Sequence, residues 1–105
     1  MVPYMVPFSD GKGSWAAFYM SQFEKLFDKA QGAQKNFHFT DLIKLAEIAG
    51  FELKRQKGSH MWFQNPNIHS IESGISLQEG ENGKAKPYQV RQLLNLIEKY
   101  QSYPK

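Results

Sequence analysis

The sequence predicts an α+β fold: a two-layer sandwich in which a three-stranded antiparallel sheet carries helices on one face, with an extra helix ahead of it. Two changes of hydrophobic period and one glycine turn carry that prediction. Apolar residues recur at three- and four-residue steps up to Gly50, alternate every second residue from Phe51, and return to helical spacing after Pro87. Lys57-Gly58 breaks the alternating stretch, so its first two strands form a hairpin. A chain of 105 residues has room for one modest core and no second one.

Each element has its own signal. Residues 1–13 hold two prolines and two glycines without a period and read as an irregular arm. Over 14–35 the sequence predicts an extra N-terminal helix and linker, with Trp15, Phe18, Tyr19, Phe23, Leu26, Phe27 and Ala30 as its apolar stripe and Gly32 as its stop. Such an aromatic stripe is more often core or interface than a ligand box. Met20-Ser21-Gln22 reads as a natural translation start, which marks residues 1–19 as a candidate vector-derived or upstream extension. The remaining domain is expected over 36–103. Thr40 is the expected N-cap of the next helix, Asp41 suits its positive end, and Gly50 suits its C′ position. Leu42, Leu45, Ala46 and Ala49 form the stripe between them.

After Gly50, Phe51, Leu53, Met61 and Phe63 are expected on one face of the hairpin, with Lys54, Gln56, His60, Trp62 and Gln64 on the other. Asn65-Pro66-Asn67 ends the second strand, and Ile75 and Leu77, alternating with Ser76 and Gln78, make a third. Residues 79–86 read as a polar loop. Pro87 opens the last helix, where its missing N–H costs least, and Val90, Leu93, Leu94 and Ile97 supply its buried stripe. The helices can cover only one sheet face. The other, carrying His60, Trp62, Lys54 and Gln56, stays open.

Composition narrows the chemistry. There are no cysteines, which excludes disulfides, thiolate metal sites and a cysteine nucleophile and fits a reducing cytoplasm. The net charge of +3 is compatible with a polyanionic partner. No apolar run reaches membrane-spanning length, and the first residues lack a signal-peptide pattern.

Within that frame, Phe51-Glu52-Leu53-Lys54-Arg55-Gln56-Lys57-Gly58-Ser59-His60 is the most informative stretch. A tight turn delivers an imidazole, whose proton can move near neutral pH, beside cations that a phosphate backbone seeks. The combination suggests a site that holds RNA or DNA and cuts it. Ser59 and His60 are not a nucleophile–base pair by adjacency, since strand neighbours face opposite sides; turn geometry is the expected task of Ser59. His38 and His69 share no helical face with each other or with His60, which makes a metal site improbable, and no cofactor is expected. Gly11-Lys12-Gly13-Ser14 lacks the spacing of a phosphate-binding glycine loop. Trp62 can stack a base or pack under a protein partner. Lys84 and Lys86 flank the start of the last helix, where anions are favoured, or belong to a solvated loop.

The stretch from Gly50 to His60 resembles the signature of the HicA toxin family, also called YcfA-like proteins. So does Gly83-Lys84-Ala85-Lys86-Pro87-Tyr88-Gln89-Val90-Arg91-Gln92-Leu93-Leu94, in the right order and at the right separation, within a match from about Phe37 to about Tyr100. The resemblance implies an α-β-β-β-α fold similar to a double-stranded-RNA-binding domain. It also implies a small mRNA interferase of a type II toxin–antitoxin system, held inactive by a HicB-type antitoxin. The family's catalytic histidine falls on His60, with Lys54, Arg55, Lys57, Ser59, Trp62, Lys84 and Lys86 as candidate RNA-binding residues. Many relatives carry a second histidine where this chain has Met61, and often another after the third strand, where it has Gln78-Glu79. The helix over 14–31 is extra relative to the shortest members. Two other readings stay open: a non-catalytic RNA-binding module of this fold, and a purely protein-binding domain.

Overall fold

A computed structural model describes residues 14–104, with side-chain surroundings from Met20 onward. The irregular arm expected over 1–13 lies outside the described residues, as do the side chains of Trp15, Phe18 and Tyr19. The elements follow the expected order: α1 (Ser14–Gly32), α2 (Phe39–Ile48), β1 (Glu52–Lys57), β2 (His60–Gln64), β3 (Gly74–Gln78) and α3 (Pro87–Lys99). Short 3-10 turns at Gln34–Asn36, Ile71–Ser73 and Glu81–Gly83 fill the connections. The sheet runs β1-β2-β3 with both pairs antiparallel.

The two-residue period of β2 and β3 sorts their side chains. Phe63, Ile75 and Leu77 point inward and are fully buried with Leu42, Leu45 and Ala46 of α2 and Val90, Leu93, Leu94 and Ile97 of α3. This shared cluster is the core of an α+β sandwich. The extra helix α1 packs on α2 and α3, burying Phe23 and Ala30. Phe23 stacks on Phe27 with ring centroids 5.3 Å apart, and Tyr103 meets it edge-on at 5.7 Å.

Helix α2 begins two residues earlier than capping chemistry suggests. His38, not Thr40, occupies the N-cap position and makes no side-chain cap, and Thr40 lies exposed in the first turn. Tertiary packing overrides the local preference: starting at Phe39 lets that ring enter the core, while His38 pairs with Lys84 in an isolated bridge. The other end follows expectation. Gly50 adopts φ +100°, Gly50 N–H donates to Glu47 and Phe51 N–H donates to Ala46, the two bonds of a Schellman cap.

The hairpin departs from simple alternation at one residue. Leu53 pairs with Phe63, but the next paired residue of β1 is Arg55, opposite Trp62, so Lys54 is an extra residue in a bulge. Every later side chain of β1 therefore shifts register. Arg55 and Lys57 share the face of Trp62 and His60, whereas Gln56 pairs with Met61 and leaves the open face on which alternation placed it. Leu53 keeps its inner-face register yet remains 44% exposed, because β1 is an edge strand.

Candidate functional site

Between β1 and β2 lies a two-residue turn, Gly58-Ser59, closed by the pair Lys57 and His60. Gly58 takes φ +60°, a conformation that glycine adopts without steric cost, and the Gln56 amide donates to its carbonyl at 3.3 Å. The turn fixes register, and register builds the site. Lys57, His60 and Gln78 form one row across the three strands, and Arg55, Trp62 and Ser76 form the next. Directly paired residues project on the same side, so all six share the open face. Arg55, Lys57, His60, Trp62 and Ser76 line a depression of about 320 Å³.

Trp62 is half-buried on the sheet face opposite the buried side chains of Phe63, Ile75 and Leu77. Its indole lies over Gly74 of the neighbouring strand, where no side chain stands in the way. One ring face is thus seated on the sheet. His60, by contrast, is exposed.

The third strand closes the other side. Gln78 donates from Nε2 to the Ser59 hydroxyl at 3.1 Å and accepts from the Lys86 ammonium on Oε1 at 3.1 Å. Ser59 and Lys86, both candidates from sequence, are thereby joined to the row of His60. The remaining candidates sit differently. Lys54 is exposed and pairs with Glu52 at 3.0 Å. Lys84 donates to Asn36 at 3.2 Å, beside the α1–α2 connection. His38 stands at the start of α2 and His69 is exposed in the loop before β3. Among the described residues, no three His, Cys, Asp or Glu side chains converge.

Three residues of this face escaped the sequence reading: Gly74, Ser76 and Gln78. Alternation placed Ser76 and Gln78 opposite Ile75 and Leu77, which was the available signal. Their pairing with Trp62 and His60 depends on register, which alternation alone does not give.

A larger groove of about 730 Å³ lies between the start of β3 and α3, lined by Ile71, Glu72, Gly74, Gln92, Asn95, Leu96 and Lys99. It has no histidine, and its charges satisfy each other: Lys99 donates to Glu72 at 2.7 Å and Tyr100 also donates to that carboxylate. Hydrogen bonds from Lys99 and then Tyr100 hold the Glu72 carboxyl below its ordinary value, and the same carboxylate holds the Lys99 ammonium above its own. Both side chains are solvent-exposed, so this ion pair contributes little. The smaller depression holds an imidazole beside Arg55 and Lys57, neither of which forms a salt bridge among the described residues.

Comparison with protein families matches residues 39–98, more than half of the chain, to the family described as the HicA toxin of bacterial toxin-antitoxin. The chain belongs to the HicA toxin family. Its role is that of the toxin in a toxin–antitoxin system, which implies an antitoxin partner. HicA toxins are generally of the ribonuclease type. The matched span holds α2, all three strands and nearly all of α3, whereas α1 precedes it. Neither the curated proteins nor the solved structures compared with the chain give a match. No helix among the described residues is long and apolar enough to cross a membrane.

Proposed function

We propose that this HicA-family toxin is a metal-independent endoribonuclease that cleaves mRNA with His60 as its catalytic residue and is neutralised by a HicB-type antitoxin in the cytoplasm. One observation carries the reading: an exposed imidazole sits in a depression with Lys57 paired beside it and Arg55 and Trp62 in the next row.

RNA contains its own nucleophile. The 2′-oxygen attacks the adjacent phosphorus while His60 accepts the 2′-hydroxyl proton. The phosphorus–5′-oxygen bond then breaks, the leaving oxygen takes a proton from water, the His60 imidazolium returns its proton to the solvent, and a 2′,3′-cyclic phosphate and a 5′-hydroxyl remain. A positioned imidazole contributes roughly 10²–10⁴-fold to such proton transfer. Lys57 and Arg55 stabilise charge on the phosphorane, and the free face of Trp62 stacks a base. Ser59 and Lys86 contact phosphate from the third-strand side. Lys54 and Lys84 add positive potential at the margins of the same surface.

The test is cleavage of one labelled RNA, in a chelating buffer, by wild-type protein and His60→Ala. Cleavage by the wild type and loss of it in the folded variant support the reading. Equal rates remove His60 from the mechanism. Salt-sensitive binding without cleavage makes the domain an RNA-binding module, and no binding makes the open face a protein-docking surface.

A further inference from the structure

We infer that Gln78 is a positioning residue that holds the Lys86 ammonium and the Ser59 hydroxyl as one unit on the β3 side of His60. The inference deepens the proposed RNA site and rests on that reading for its substrate. Gln78 is the direct cross-strand partner of His60, as Lys57 is on the opposite side. Its amide orientation is dictated by chemistry. An ammonium only donates, so Oε1 must face Lys86, 3.1 Å away, and Nε2 must face Ser59, also at 3.1 Å. The Ser59 oxygen accepts that bond, which leaves the hydroxyl proton free to donate to a phosphate oxygen.

Gln78 is itself anchored. Its backbone N–H donates at 3.0 Å to Oε1 of Gln89, a side chain only 5% exposed within α3. Main chain and side chain are thus tied to different elements, and the amide forms a bridge between the hairpin turn and the start of α3. Lys86 occupies the N-cap position of that helix, so its charge adds to the positive end of the helix dipole. A phosphate held against His60 then meets Lys57 from β1 and the Ser59–Gln78–Lys86 unit from β3. Lys57 on its exposed strand would not by itself define a phosphate position; together with a Lys86 fixed through an amide it does.

The test compares wild type, Gln78→Met, Lys86→Met and the double variant. The readouts are binding of an uncleavable 2′-O-methyl RNA over a salt series and cleavage of the unmodified RNA. Each single change should weaken binding by roughly 3–10-fold and lower the salt slope by about one phosphate contact. The double variant should bind no worse than Lys86→Met alone, because the two residues act as a unit. Lys86→Arg, which keeps a donor toward Oε1, should retain binding in the wild-type background and lose it when Gln78→Met is added. Circular dichroism checks that each variant is folded. Additive losses, or a Gln78→Met protein with wild-type affinity and salt slope, overturn the inference. Coupled binding without cleavage by the wild type would retain it while removing the nuclease reading, and a wild type that binds no RNA overturns both.

Discussion

Trp62 and Gly74 are a matched pair: a Cβ placed on Gly74 would lie 2.1 Å from Cζ2 of the Trp62 indole and 2.5 Å from Cη2. Both contacts are far inside van der Waals distance, and a planar ring has no flexible end to move aside. The φ of Gly74 is −116°, which any residue can adopt, so the requirement for glycine is one of space alone. Gly74→Ala should therefore expel the indole from its seat or push β3 from β2, at a cost of about 1–3 kcal/mol. Urea unfolding measures the loss, and tryptophan fluorescence should report a more solvated ring. An unchanged midpoint and spectrum would show that the ring does not lie there.

Asn65 does for the back of the domain what Gly74 does for the front. Only 1% exposed, it donates from Nδ2 to the Ala49 carbonyl at 3.2 Å and to the Ser102 hydroxyl at 3.3 Å, and it accepts the Asn67 N–H at 2.9 Å. One amide ties the end of α2, the exit from β2 and the chain after α3. Asn65→Ala orphans those groups in a buried site and should cost about 1–3 kcal/mol. The expected result is a lower denaturation midpoint with an unchanged m-value.

These two residues mark the boundary of what sequence patterning can read. Phe63, Ile75, Leu77, Val90 and Leu93 were legible as core because a strand repeats every two residues and a helix every 3.6. Gly50 was legible because its left-handed conformation favours glycine. The start of α2 was misread because a capping preference worth about 1 kcal/mol is smaller than the gain from burying Phe39. The face of Gln56 departs from simple alternation because the bulge at Lys54 leaves no residue type as its mark and reverses every side chain after it. His60 and Trp62 precede any such break in their own strand, and their shared face was read correctly. Gly74 and Gln78 owe their importance to partners on another strand, which only register reveals.

The Glu72–Lys99–Tyr100 cluster gives the fold a weak pH dependence. Glu72 is held below its ordinary carboxyl pKa of 4.5, so its contribution is present above that pH and fades as pH falls through the lowered folded value. Lys99 is held above 10.5, so its contribution is present below that pH and fades as pH rises through the raised folded value. Between these limits the pair is intact. Glu72→Gln should lower the melting temperature slightly at pH 7, and the gap from wild type should narrow as pH falls below 4.5 and close once the carboxyl is protonated in the folded state. High salt should narrow the gap at pH 7 as well, because the pair is exposed. A gap that stays constant as pH falls would assign the effect to packing instead.

The bulge at Lys54 separates two lysines that sequence alone treats alike. Lys57 pairs with His60 across the hairpin and lines the depression, whereas Lys54 is the extra residue of the bulge and faces a carboxylate 3.0 Å away on Glu52. On the proposed reading, RNA at His60 should displace counterions mainly around Arg55 and Lys57, with Lys54 entering only through the general field. Lys57→Ala should weaken binding of a short uncleavable RNA by roughly tenfold at low salt and reduce the salt slope by about one phosphate contact. Lys54→Ala should have a clearly smaller effect on both. Each removes one positive charge from the same strand, so any difference between them reports position. Fluorescence anisotropy over a salt series for the two variants decides the matter. Equal losses in affinity and slope would mean that the RNA senses the charge of the strand and not the geometry that the bulge creates beside His60.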